Sequence, residues 1–154
     1  MTPRRIAVLG ATGSIGRQAL DVLAPHGDRF RVTALSAHDN AALLFEQVRL
    51  LRPRMAALTG GERAIPDDLK FCRWVFGEGA LERIAAESDA DDVLDAVSGM
   101  VGLSAVASAL KAGKRVLLAN KEALVAGGEI VMKLGGDRII PVDSEHSAIF
   151  QCLR

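Results

Sequence analysis

A chain of 154 residues, 49% of them hydrophobic, carries enough apolar side chain for one domain with its own core and too little length for two ordinary ones. Its 19 basic and 19 acidic residues cancel, so no whole-chain field draws in nucleic acid or an anionic membrane, and any anion site must be local. No apolar run approaches the ~20 residues that span a bilayer. The start, MTPRRIAVLGATGSIG, turns glycine-rich before a signal-peptide core could form, and a cytoplasmic location is the expectation. Cys72 and Cys152 lie far apart without metal-like spacing, which predicts two reduced thiols and no nucleophile.

In chain order, short β-branched runs alternate with longer helical patterns. RIAVLG reads as a strand, SIGRQALDVLAPHG as a helix, FRVTALSA as a strand, NAALLFEQVRLLRP as a helix and RMAALTG as a strand. Residues 60–75 are the least legible, broken by Gly60, Gly61 and Pro66, with FCRWVF a candidate strand. GALERIAAES predicts a helix, DDVLDAVSG a strand, and VGLSAVASALKAG a helix stopped by Gly113. KRVLLAN is then a strand, KEALVAGGEIVMKLGG a helix, and RIIPVDSEH the last strand with its polar exit. This alternation predicts an α/β fold: a doubly wound, mostly parallel sheet with helices on both faces. The nearly continuous apolar character of RIAVL fits a strand covered on both sides.

VLGATGSIG places Gly10, Gly13 and Gly16 between the first strand and the first helix. Glycines there let the backbone turn tightly and approach a pyrophosphate, whose charge meets free amides and the positive end of the helix dipole. Thr12, Ser14 and Ile15 would supply amides, and the first two hydroxyls as well. The spacing departs from the standard G-x-G-x-x-G, yet its position inside a β-α-β unit makes a Rossmann-like dinucleotide site the expectation; no Gly-Lys-Ser/Thr follows that would make it a mononucleotide loop. At the end of the second strand, LSAHDN offers His38 and Asn40 as donors to a phosphate, while Asp39 would repel one. These residues leave NAD and NADP undecided, and a solvated loop in which Asp39 or Asn40 caps the next helix is an equally ordinary reading.

Two further strand ends carry chemistry. After RVLLA come Asn120, Lys121 and Glu122. Asn120 as a cap and Glu122 as a first-turn acid would suit a helix start, but Lys121 would not, since a cation is disfavoured there; it makes better sense facing an anionic or polarised substrate. After RIIPV, Asp143 and Glu145 flank Ser144 and, if strand geometry continues, project to one side. Two carboxylates that close repel unless a cation sits between them, and Mg²⁺ or Mn²⁺ favours such oxygens. The alternative is a helix start capped by Asp143 or Ser144. His146 reads as a packing residue rather than a ligand. Because two carboxylates do not complete a metal site, the chain is expected to be the front half of a longer protein.

Together, LGATGSIG, LLANKEALV and PVDSEHSAIFQ resemble the 1-deoxy-D-xylulose 5-phosphate reductoisomerase family, over essentially the whole chain. The resemblance implies conversion of 1-deoxy-D-xylulose 5-phosphate to 2-C-methyl-D-erythritol 4-phosphate with NADPH and Mg²⁺ or Mn²⁺, the committed step of the non-mevalonate route to isoprenoids, in a homodimer. It implies an NADPH-binding domain over 1–140 and, over 141–154, the start of a catalytic domain. By motif, it implies that Thr12, Gly13, Ser14 and Ile15 hold the pyrophosphate and that Asn120 and Glu122 approach the nicotinamide half. Lys121, Ser144 and Glu145 would contact substrate, and Asp143 and Glu145 would ligate the metal. The family's third acidic ligand, its phosphate-binding residues and its lid would lie beyond Arg154, so the chain alone is expected to show no turnover and to bind NADPH weakly. The family commonly shows a Gly-basic-Asn run at the 2′-phosphate loop; of His38, Asp39 and Asn40 only Asn40 fits, and the NADP assignment rests on the family. Two rivals are a semialdehyde dehydrogenase, which would need a supported cysteine nucleophile, and a nucleotide-sensing module without catalysis.

Overall fold

The computed structural model describes residues 1–142. Seven strands form one sheet: β1 (Arg4–Leu9), β2 (Phe30–Ala37), β3 (Met55–Leu58), β4 (Arg73–Phe76), β5 (Asp92–Asp95), β6 (Arg115–Leu118) and β7 (Ile139–Pro141). The α-helices among the described residues are α1 (Ser14–Leu23), α2 (Ala41–Leu51), α3 (Ala80–Glu87), α4 (Gly102–Lys111) and α5 (Lys121–Gly135). The strand order is β4-β3-β2-β1-β5-β6-β7, and every pairing is parallel, where the sequence predicted a mostly parallel sheet. Each parallel neighbour needs a crossover, and short strands linked by helices supply it. The difficult FCRWVF stretch does form a strand, β4, at one sheet edge.

Each face of the sheet has its own core. Ile6, Val8, Leu35 and Leu94 pack with Leu20, Leu44 and Val48 of α1 and α2. On the other face, Leu9, Val93 and Val116 pack with Ile84, Val106, Leu110 and Val131 of α3, α4 and α5. Strand side chains alternate between faces, so β1 sends successive residues into opposite cores and must be apolar on both.

At the amino ends of the strands, Asp92 is fully buried and bridged by two arginines: Arg4 Nε donates at 2.5 Å and Arg115 Nε at 2.8 Å. Beside it, Arg5 pairs with Asp91 at 2.8 Å. This belt ties β1, β5 and β6 together at the end opposite the one where ligands of such folds lie.

From β1 the chain winds outward through β2, β3 and β4, then returns to lay β5 against the other side of β1. The winding therefore reverses between β1 and β5, and a crevice opens beyond their carboxyl ends.

Candidate functional site

The crevice is built first by the turn after β1. Gly10 adopts φ +79°, a conformation side chains avoid, and a Cβ there would stand 2.7 Å from the Ala96 carbonyl oxygen beyond β5. Its amide donates to Ser36 Oγ at 3.0 Å, and Ala11 N donates to the Ser36 carbonyl at 2.7 Å, fixing the turn to β2. A Cβ on Gly16 would collide with the Gly10 carbonyl, so only glycine lets α1 start this close to the strand it follows. Gly13 is the N-cap, no side chain caps the helix and its first turn holds no acid. The first amides of α1, at Ser14, Ile15 and Gly16, are left as donors beside the positive end of the helix dipole, an arrangement suited to an anion.

Two clefts flank this turn. A wider one, about 370 Å³, is lined by Gly10, Thr12, Gly13, His38, Thr59 and Val97 among others. A narrower one, about 180 Å³, is lined by Ile15, Ala119, Asn120 and Glu122. Both share Ala96, Val97 and Ser98, so they are two ends of one crevice across the ends of β1 and β5. A larger hollow of about 450 Å³ lies between α1 and α2, lined by Arg17, Asp21, Glu46 and Leu50. It has only Ser14 in common with the glycine turn and lies on the flank of the sheet, and strand-end chemistry favours the crevice.

At the wide end, His38 Nδ1 and Thr59 Oγ1 share a hydrogen bond of 3.0 Å. Asn40 caps α2, its Oδ1 accepting from Leu43 N at 3.2 Å, and Asp39 is exposed between them. At the narrow end, Asn120 is buried and caps α5 by accepting from Glu122 N at 3.0 Å. Its amide nitrogen donates to the carbonyls of Val97 at 2.7 Å and Gly99 at 2.6 Å. All of its side-chain donors are thus spent on joining the loops after β5 and β6; it shapes the crevice wall through those bonds. Glu122 is exposed, with Oε2 3.8 Å from where a Gly99 Cβ would be.

Asp95 closes β5 and is wholly buried. Burial pushes its carboxyl up to about 6, only partly offset by the Val97 amide that donates to Oδ1 at 3.3 Å, and its Oδ2 has no partner among the described residues.

The residues predicted from the sequence, Gly10, Thr12, Gly13, Ser14, Ile15, Gly16, His38, Asp39, Asn40, Asn120 and Glu122, all fall at the carboxyl edge of β1, β2 and β6. Lys121 opens α5, and its side chain lies outside what the structure describes; so do Asp143, Ser144, Glu145, His146 and Cys152. Among the described residues, no three His, Cys, Asp or Glu side chains come together to hold a metal ion. Ser36, Thr59 and the Ala96–Ser98 strip were missed by sequence reasoning. Their signal was weak: small residues at the ends of strands β2, β3 and β5, whose place beside the glycine turn only the strand order reveals. Cys72 is buried and burial raises its thiol to about 12, consistent with an inert core residue.

Comparison with known proteins points the same way. Residues 6–128 match the family model for 1-deoxy-D-xylulose 5-phosphate reductoisomerase. The chain is 48% identical to the protein of that name from Methylococcus capsulatus, over 96% of its own length and 40% of the relative's. It superposes, with a TM-score of 0.86 and 37% identity, on the reductoisomerase of Zymomonas mobilis in complex with NADPH, over 98% of this chain and 41% of that one. A further reductoisomerase structure, in complex with NADPH, fosmidomycin and magnesium, gives a TM-score of 0.85 at 35% identity, over 97% and 38% of the two chains. The chain spans about two fifths of the length of the relatives it matches. A matched sequence over most of the chain and a superposable sheet place it: the chain belongs to the 1-deoxy-D-xylulose 5-phosphate reductoisomerase family.

Proposed function

We propose that this chain is the cofactor-binding part of a reductoisomerase that converts 1-deoxy-D-xylulose 5-phosphate to 2-C-methyl-D-erythritol 4-phosphate, with residues 1–140 as the NADPH domain and 141–154 opening the catalytic domain. The observation that carries the reading is the crevice over β1 and β5, floored by a glycine turn and ending on the uncapped amides of α1. That floor fits a dinucleotide: the pyrophosphate against Thr12 to Ile15, the adenosine half toward His38 and Thr59, and the nicotinamide half toward Ile15, Asn120 and Glu122. When bound, NADPH supplies a hydride to a substrate carbonyl carbon. The chain's own part is placement. Gly10 and Gly16 bring backbone to the cofactor, and Asn120 holds the loops after β5 and β6 as one wall. Lys121, Ser144 and Glu145 are assigned to substrate contact. Asp143 and Glu145 are assigned as ligands of Mg²⁺ or Mn²⁺, which when bound would supply Lewis-acid polarisation of substrate oxygens. A homodimer in the cytoplasm is part of the same proposal; among the described residues no helix is long and apolar enough to cross a membrane.

Titration calorimetry of the chain with NADPH tests the reading. Saturable one-site binding is expected; absence of binding at millimolar NADPH would contradict it.

A further inference from the structure

We propose that Asp95, the last residue of β5, is a positioning residue for the dinucleotide: its carboxyl holds the strip that both ends of the crevice share, and cofactor binding drives it to take up a proton. The proposal rests on the crevice being a dinucleotide site and deepens that reading. Ala96, Val97 and Ser98 line the wide and the narrow cleft alike. Asp95 is wholly buried at the root of this strip, and the Val97 amide donates to its Oδ1 at 3.3 Å. The Val97 carbonyl in turn accepts from the Asn120 amide at 2.7 Å, so one residue of the strip joins the buried carboxyl to the wall after β6.

Among the described residues no charged side chain faces this carboxyl. Its strand neighbours are Leu9 of β1 and Leu118 of β6, and a Cβ added to Gly102, the first residue of α4, would stand 2.7 Å from its Oδ2. The charged groups of these elements lie elsewhere: Arg4, Arg5 and Arg115 sit at the amino edge with Asp91 and Asp92, and Lys111 closes α4 at its far end. Glu122 of α5 is exposed and approaches Gly99 instead. The dipole of α4 favours the ionised form. Even so, Oδ2 accepts no hydrogen bond among the described residues, and burial pushes the carboxyl up to about 6. A dinucleotide lays negative phosphates on the other side of the strip, where a poorly screened interior carries their repulsion. The bound state therefore favours the neutral carboxyl, which still accepts from Val97. Affinity is full below about 6, where the group is neutral before the cofactor arrives, and weakens as pH rises through that value.

Calorimetric titrations with NADPH at about pH 5 and about pH 7.5, on the unchanged chain, Asp95→Asn and Asp95→Ala, test this, with thermal melts to show that each is folded. Asp95→Asn keeps an acceptor for Val97 without the charge; it is expected to bind about fivefold or more tighter than the unchanged chain at the higher pH and within about twofold of it at the lower. Any other proton that binding moves, on His38 or on the cofactor's phosphates, is common to both chains and cancels in that ratio. Asp95→Ala removes the acceptor as well and is expected to bind about threefold or more weaker than Asp95→Asn at both pH values. A ratio of unchanged chain to Asp95→Asn that stays flat with pH, or an Asp95→Ala that binds as tightly as Asp95→Asn, overturns the proposal while leaving the dinucleotide site intact. If Asp95→Ala does not fold, the Asp95→Asn ratio decides alone. Binding by none of the three overturns the dinucleotide reading as well.

Discussion

Ser14 and Asp95 separate two demands on the same few residues: holding the fold and holding a ligand. Ser14 is the first residue of α1, where no acid stands. In Ser14→Asp the new carboxylate would face the helix dipole favourably, so the melting temperature should hold or rise slightly. It would also occupy the ground of the pyrophosphate, and NADPH affinity should fall by about tenfold or more; calorimetry and thermal melts on the variant read both. Asp95 works the other way. Its buried carboxyl lies at about 6 against an ordinary 3.8, so the folded state binds the proton more tightly than the unfolded one. The stability this confers is full below 3.8 and lost as pH rises through about 6. Asp95→Asn keeps an acceptor for the Val97 amide without the charge. It should raise stability near pH 7.5 by up to about 2–3 kcal/mol, with the gain shrinking toward pH 4, as measured by denaturant unfolding at both pH values.

Among the elements, the strands and crossovers were largely legible because parallel sheets write both faces in apolar residues. The helix expected over SIGRQALDVLAPHG, the strand expected over KRVLLAN and the stop at Gly113 all followed from spacing and caps, though α1 ends at Leu23 and β6 spans only Arg115–Leu118. The segment 60–75 resisted because β3 and β4 are four residues each, and residues 61–66 between them carry no regular structure. The edge strand β4 is held by an aromatic contact, Trp74 standing edge-on to Phe45 of α2 at 5.5 Å, which local pattern does not announce. In the site, the glycine turn was legible because its chemistry is local. Ser36, Thr59 and Ala96–Ser98 were not, because they contribute through the order of strands: β5 lies against β1 although most of the chain separates them. The same order explains Asp92, which the sequence offers only as an acid leading into a strand. It is in fact the buried pin joining β1, β5 and β6 through Arg4 and Arg115. Asp92→Ala leaves two arginines unpaired at the amino edge and should cost about 2–4 kcal/mol in denaturant unfolding, with NADPH affinity at the far edge unchanged under native conditions.

At the scale of the molecule, carboxylates at the two ends of the sheet pull stability in opposite directions with pH. Toward acid, protonation of Asp95 stabilises from about 6 down to 3.8. Further acidification removes the contribution of Asp91, which the Arg5 guanidinium and amide hold down at about 2. It also removes that of Asp92, whose burial is outweighed by its bonds to Arg4 and Arg115 so that it stays below the ordinary range. Both depressed groups contribute stability above 3.8 and lose it as pH falls toward their folded values. These three groups together predict a stability optimum near pH 4–5, which urea titrations from about pH 2 to 8 would locate.

The central claim is that a nicotinamide dinucleotide lies along one edge of the sheet, across the reversal between β1 and β5. The most direct measurement is a ¹H–¹⁵N chemical-shift titration of the chain with NADPH. Shifts are expected at the amides of 12–16, 38–40, 59, 97–99 and 120–122, with Asp21, Glu46 and Leu50 in the hollow between α1 and α2 unmoved. Shifts concentrated in that hollow, or at the Asp92 belt, with the glycine turn silent, would contradict the claim.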